Sequence, residues 1–219
     1  MSSAAPDTAT SLVPPSRRHI EPPNGPGSCY ALARLFRWNE TLVETDSLRD
    51  VNAKRRLRLR PATPEDRVLL ERWDAEPHVV AANPNDKWEW QTELAQPTDW
   101  RQQFIAEREG RAIGFIQILD PARDESGYWG EVGDGLRAID IWIGEPDELG
   151  KGYGTTMMQL ALAHCFADPQ VSAVLIDPLA DNRRAQRFYE RLGFRFVERR
   201  HLGNDLCCIY RLERSDWLA

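Results

Sequence analysis

The residues best equipped for chemistry lie on either side of one break in the chain. Asp140 interrupts the apolar run Ala138-Ile-Asp-Ile-Trp-Ile143. Beginning ten positions after it, Gly150, Gly152 and Gly154 alternate with Lys151 and Tyr153, and Thr155 follows. A carboxylate inside an apolar strand either faces a cavity or is buried at considerable cost. The three glycines let backbone approach a ligand without Cβ obstruction and turn N–H groups outward. Behind them, Thr155 to Phe166 carries apolar residues at 157, 158, 160, 161 and 165, a helical spacing. The glycines therefore belong to a helix N-terminus, where orphan amides and the macrodipole favour an anion. The stretch reads as a strand feeding a phosphate-binding turn.

Other elements must position that unit. Residues 1–53 form a Pro-rich extension, with prolines at 6, 14, 15, 22, 23 and 26, whose composition predicts disorder; a short helix over Cys29–Trp38 is conceivable. The folded domain, 54–219, opens with a strand over Arg56–Arg60 ended by Pro61. Thr63-Pro-Glu-Asp66 then supplies an N-cap, a proline and acids for a helix through about Trp73. A short helix follows to Val80, and Asn83 to Trp90 reads as a loop. Phe104–Arg108 and Ala112–Leu119 make a hairpin, an acidic loop spans Asp120–Asp134, and the Asp140 strand comes next. Past the glycine helix, Val171–Ile176 is a buried strand, Arg183–Leu192 a helix stopped by Gly193, and Phe194–Val197 with Cys207–Leu212 a closing hairpin. The order β, α, α, β, β, β, α, β, α, β, β predicts an α/β (α+β) fold with a mixed central sheet of about six to seven strands and about four helices.

Composition narrows the function. At 219 residues and 42% hydrophobic, the chain suffices for one domain. A net charge of −6 argues against nucleic acid and favours a cationic partner. Cys29, Cys165, Cys207 and Cys208 lack paired metal spacing, so no metal is expected and the thiols read as reduced and cytosolic. With no membrane-length apolar run and no signal-peptide core, the expectation is a soluble cytoplasmic protein, monomer or homodimer.

The strand–glycine–helix unit, the second strand–helix unit ending Ala185-Gln-Arg-Phe-Tyr-Glu-Arg-Leu-Gly-Phe194, and the element order resemble the GNAT superfamily of acetyl-CoA-dependent N-acetyltransferases over about residues 56–214. Ala138-Ile-Asp140, Leu149-Gly-Lys-Gly-Tyr-Gly-Thr155, Phe166-Ala-Asp-Pro-Gln-Val171 and Ile176-Asp-Pro178 with Asn182 are most similar to the aminoglycoside 6′-N-acetyltransferases. Leu149 departs from the superfamily pattern, which has Gln or Arg there.

The resemblance implies acetyl-CoA as co-substrate. The backbone of Gly150, Lys151, Gly152, Tyr153, Gly154 and Thr155 would cradle its pyrophosphate. Trp142 and Ile143 would pair with the pantetheine arm, which Asn182 would also bond. Tyr189 would contact the cofactor and protonate the departing thiolate, and Asp140 would be the general base. With an unperturbed pKa of about 3.9, an aspartate is expected to orient the ammonium and relay its proton through water. Asp177, ending the next strand, faces the same mouth or caps a turn.

Charge speaks for the acceptor. Residues 120–148 hold nine acids against Arg123 and Arg137, and residues 71–100 hold seven against Arg72 and Lys87. Asp86, Glu131, Asp140 and Asp177 are candidates to hold a cationic aminoglycoside, with Trp88, Trp90, Tyr128 and Trp129 offering ring faces. The expected activity is acetylation of an aminoglycoside 6′-amine by direct attack on the thioester, conferring resistance. Acetylation of another amine, such as N6-hydroxylysine, and a non-catalytic CoA-binding protein are the alternatives.

Overall fold

A computed structural model describes residues 57–96 and 98–217. The Pro-rich extension and the Cys29–Trp38 helix expected from sequence lie outside the described residues. Seven strands form one mixed sheet: β1 (Leu57–Pro61), β2 (Arg101–Arg108), β3 (Arg111–Leu119), β4 (Leu136–Ile143), β5 (Ala173–Ile176), β6 (Arg195–Leu202) and β7 (Asp205–Glu213). Their order is β1-β2-β3-β4-β5-β7-β6, antiparallel throughout except between β4 and β5.

The first helical segment starts as expected. The Asp66 carboxylate accepts the Thr63 backbone N–H at 2.8 Å, and Pro64 opens a 3-10 turn to Asp66 that continues as α1 (Arg67–Asp74). α2 (Pro77–Ala82) follows. Two helices were not expected from sequence, α3 (Trp90–Ala95), which starts at the last residue of the stretch read as loop, and α6 (Arg214–Trp217) at the end of β7. With α4 (Tyr153–Ala167) and α5 (Arg183–Arg191), the described residues hold six helices rather than about four. α3 was hidden because its six residues are too few to show a period. Its Trp90 is held instead by tertiary contact, stacked on Trp88 at 4.8 Å and packed edge-on against Phe115 at 5.2 Å.

Alternation along β4 divides the core. Ile139 belongs, with Met157, Met158, Ala161 and Leu162 of α4, to the cluster on one face of the sheet. On the opposite face, Leu136 and Ala138 join a second cluster with Trp129 and Leu175, while Trp142 joins a third with Trp73, Trp90 and Phe115. Asp140 lies on this second face, in the polar break between those two clusters.

Candidate active site

The site begins where the sheet stops being continuous. β4 pairs with β5 only from Leu136 to Ala138, matched with Ala173 to Leu175, yet β4 runs on to Ile143. The two strands therefore part beyond Ala138. Gly144 N–H donates to Ile113 of β3 at 2.9 Å, whereas Ser172 N–H donates to the Gly135 carbonyl on the β5 side at 2.7 Å. Backbone direction alternates along an antiparallel strand, so Ile139, Ile141 and Ile143 turn their amides and carbonyls into the gap. Of the pair expected to meet a pantetheine arm, Ile143 thus has its backbone toward the gap, and Trp142 has its backbone toward Phe115 of β3 and its ring in the third cluster. The Ile143 carbonyl accepts a hydrogen bond from His78 Nε2 at 2.7 Å, which ties α2 to the open edge and fixes the proton on that nitrogen.

Below the gap, the glycine turn leads into α4. Gly150 and Gly152 have φ of +74° and +85°, which side-chain-bearing residues rarely adopt, and Gly152 caps the helix. Gly154 has no positive φ, and a Cβ there would meet only Phe188 at 3.7 Å, an ordinary contact. Folding therefore accounts for two of the glycines. The third leaves an open surface at a helix N-terminus, which suits the close approach of an anion. Thr155 N–H already donates to the Gly152 carbonyl at 3.2 Å. Tyr153 is buried beneath Arg108, whose guanidinium lies 5.5 Å from its ring centroid. Lys151 meets buried Glu148 at 3.1 Å, and Glu148 also receives Arg108 and Arg111 from the ends of the β2–β3 turn. Asn182 accepts the Ala185 N–H at 3.0 Å as the N-cap of α5, so its oxygen is engaged and its amide nitrogen is the donor left to meet a ligand arm.

Above the gap lies a cluster of acids and phenols. Asp140 is half-buried and accepts Gln117 Nε2 through Oδ2 at 2.8 Å. Asp177, at the end of β5, accepts the Tyr128 phenol at 2.7 Å. Burial and then the Asp177 carboxylate push the Asp140 carboxyl up to about 7, with Asp86 and Asp124 adding to the push and Gln117 opposing it. Burial and Asp86 raise Asp177 to about 6 against the Tyr128 hydrogen bond. Tyr189, on α5 between Phe188 and Phe194, is held above the usual phenol range by burial and then by Asp177 and Asp140, so its Oη keeps its proton at neutral pH. A carboxyl raised in this way takes up and releases its proton closer to neutral pH than an ordinary aspartate.

Several expected acceptor residues sit elsewhere. Trp129 is only 3% exposed, with its ring in the second cluster, so it presents no face to a sugar. Trp90 is 2% exposed in the third cluster, and Trp88 is half-buried against it. Tyr128 is 40% exposed and spans the loop and Asp177. Glu131 is exposed in the acidic loop. The acidic excess is also partly cancelled, because Glu93 pairs with Arg101, Asp99 with Arg123, Asp120 with Arg137, and Glu145 with Arg72 and Arg111. The acids acting on one another around the gap are Asp86, Asp124, Asp140 and Asp177. Gln117 was not singled out from sequence, although a polar residue within an apolar strand is a local signal, and His78, after a helix-starting proline, reads from sequence as a surface or packing residue.

A parted β4–β5 pair with a glycine turn at the start of the next helix on one side and a raised carboxyl on the other defines a group-transfer site. A family model described as an acetyltransferase (GNAT) domain matches residues 62–202. The chain belongs to that family. Over 159 residues it is 32% identical to the aminoglycoside N(6')-acetyltransferase type 1 of Klebsiella pneumoniae, covering 65% of this chain and 76% of that protein. It is 40% identical over 68 residues to a kanamycin resistance protein of Rhizobium radiobacter, covering 31% of this chain and 63% of that one. Among solved structures, the aminoglycoside acetyltransferase AAC(6')-Ib in complex with coenzyme A superposes with a TM-score of 0.67 at 28% identity, over 74% of this chain and 97% of that chain. Its complex with coenzyme A and kanamycin gives the same TM-score, identity and coverage.

Proposed function

We propose that the chain is an acetyl-CoA-dependent aminoglycoside 6′-N-acetyltransferase and that resistance to those antibiotics is its consequence. The observation that carries this reading is Asp140. Its carboxyl stands beside the β4–β5 gap, is raised to about 7, and is surrounded by other acids rather than by cations. Such a pocket attracts an ammonium and can accept its proton. The family match and the names of the relatives at 32% identity support the amine and the donor.

Acetyl-CoA supplies the acetyl group as a thioester. The gap-facing backbone of Ile139 to Ile143 suits its extended arm, and the Gly150–Thr155 turn suits its phosphates. Asp140 accepts the proton of the 6′-ammonium, leaving a neutral amine lone pair to attack. Asp177, with Asp86 and Asp124, offsets the remaining positive charges of the antibiotic. Tyr189 holds a proton at Oη for the sulfur as the C–S bond breaks, and the second proton that the nitrogen sheds as the amide forms returns the phenol to its protonated state. An acceptor bearing a carboxylate, such as hydroxylysine, fits poorly among these acids. Among the described residues no helix is long and apolar enough to cross a membrane. We place the activity in the cytoplasm, where acetyl-CoA is available and where Cys165, Cys207 and Cys208, all free and buried, remain thiols.

The test is a thiol-release assay with acetyl-CoA against kanamycin, tobramycin and hydroxylysine, repeated with Asp140→Asn. Turnover is expected with the antibiotics and a fall of about 10²- to 10⁴-fold in the variant. Absence of turnover with every aminoglycoside would refute the assignment.

A further inference from the structure

Three strands carry polar side chains in one line across the acceptor face. Gln103 of β2 is the cross-strand partner of Gln117 of β3, and Gln117 is the partner of Asp140 of β4. Gln103 Nε2 donates to Gln117 Oε1 at 3.0 Å, and Gln117 Nε2 donates to Asp140 Oδ2 at 2.8 Å. Gln117 is 4% exposed. On the same face its strand neighbours are Phe115, in the third cluster, and Leu119, in the second. Packing does not call for an amide here. An apolar side chain at 117 would join two hydrophobic clusters, whereas a buried amide must find partners for both of its ends. Both partners are present and they define a direction. Because Gln103 occupies Oε1, the amide is held with its donor end toward the carboxylate, which can only accept.

The geometry points to Gln117 as a positioning residue, itself oriented by Gln103, that grips Oδ2 of Asp140 so that Oδ1 is the oxygen presented to the acceptor amine. This inference rests on the reading of Asp140 as the base, and it adds the device that sets which oxygen acts and how basic it is. The groups facing Asp140 from the surrounding elements are Asp177 at the end of β5, Asp86 after α2, Asp124 and Tyr128 before β4, and Tyr189 on α5. The carboxylates among them oppose ionisation of Asp140, and the Gln117 amide favours it. Removing the amide therefore makes the carboxyl harder to ionise and leaves it free to rotate.

The experiment uses the full chain with Gln117→Met, Gln103→Leu and Asp140→Asn, and two readouts. One is the acid limb of kcat/KM for kanamycin against pH. The other is the titration of the Asp140 carboxyl in substrate-free protein, followed by carbon-13 NMR of labelled aspartate and assigned by its loss in Asp140→Asn. In Gln117→Met both midpoints should rise by about one pH unit, giving roughly tenfold lower kcat/KM below the limb. Gln103→Leu should move them the same way by less. A merely structural role would lower activity evenly across pH and leave both midpoints in place, and that result overturns the inference. If Gln117→Met fails to fold, Gln103→Leu, at a half-buried position, decides by the same criterion. Turnover retained in Asp140→Asn would sink the reading of Asp140 as base, while the NMR midpoint would still decide whether the ladder acts on that carboxyl.

Discussion

Replacing Asp140 by asparagine should inactivate the protein and at the same time stabilise it, in a way that depends on pH. Asparagine keeps the shape and can still accept the Gln117 amide, but it never ionises. The aspartate carboxyl ordinarily loses its proton at 3.8, and in the fold it holds it to about 7. Below the lower value the carboxyl is neutral in both states and nothing is lost. As pH rises, the unfolded chain releases its proton while the folded chain retains one, so native stability declines until pH passes about 7. At about 1.4 kcal/mol per pH unit, the ionised group costs the ligand-free fold up to about 4 kcal/mol. In a domain of this size a kilocalorie moves the melting temperature by about 2–4 °C, so the gap between the two proteins should approach on the order of 10 °C. Thermal melts of both proteins without ligands, from about pH 3.5 to about pH 8.5, should show curves that nearly coincide at the acid end, separate through the middle and run parallel above neutrality. A gap that does not change with pH, or an asparagine variant that melts lower at the alkaline end, would refute the reasoning.

Tyr189→Phe keeps the ring between Phe188 and Phe194 and removes only the phenol O–H proposed to protonate the departing sulfur. Steady-state kinetics should show kcat reduced by about 10²-fold with KM for acetyl-CoA little altered; unchanged kcat would mean that the phenol only packs. Gly152→Ala forces a side chain into a φ of +85° and should cost about 1–2 kcal/mol of stability. Gly154→Ala meets only Phe188 at 3.7 Å, so it should melt like the parent yet bind coenzyme A more weakly in a calorimetric titration. Equal affinity in the Gly154 variant would remove the phosphates from that surface. If the proposed acidic pocket of Asp86, Asp124 and Asp177 holds the acceptor, its KM should climb with salt more steeply than that of acetyl-CoA. A parallel rise in both constants would count against the acidic pocket.

The local grammar of the chain determined a good deal. The Thr63-Pro64 helix start, the strand alternation, the glycines ahead of an apolar helix and the isolated Asp140 are all decided within a few residues, by dihedral preference, capping and periodicity. They were enough to predict a mixed sheet and to place the glycine turn at the start of α4. What sequence could not supply was everything that depends on who stands opposite whom. Seven acids in one stretch and nine in another looked alike, but arginines distant in sequence cancel Glu93, Asp99, Asp120 and Glu145 and leave the few around the gap. Trp88 and Trp129 both appeared as candidate ring faces, and packing buried one and half-buried the other, because an aromatic ring serves a core as well as a ligand. Asp140 was visible as an anomaly in its strand, whereas Gln117 gained meaning only from register, which sets it opposite Asp140 and Gln103. The raised carboxyl is likewise a tertiary product, since the burial and the neighbouring charge that create it come from β5 and from loops far away along the chain.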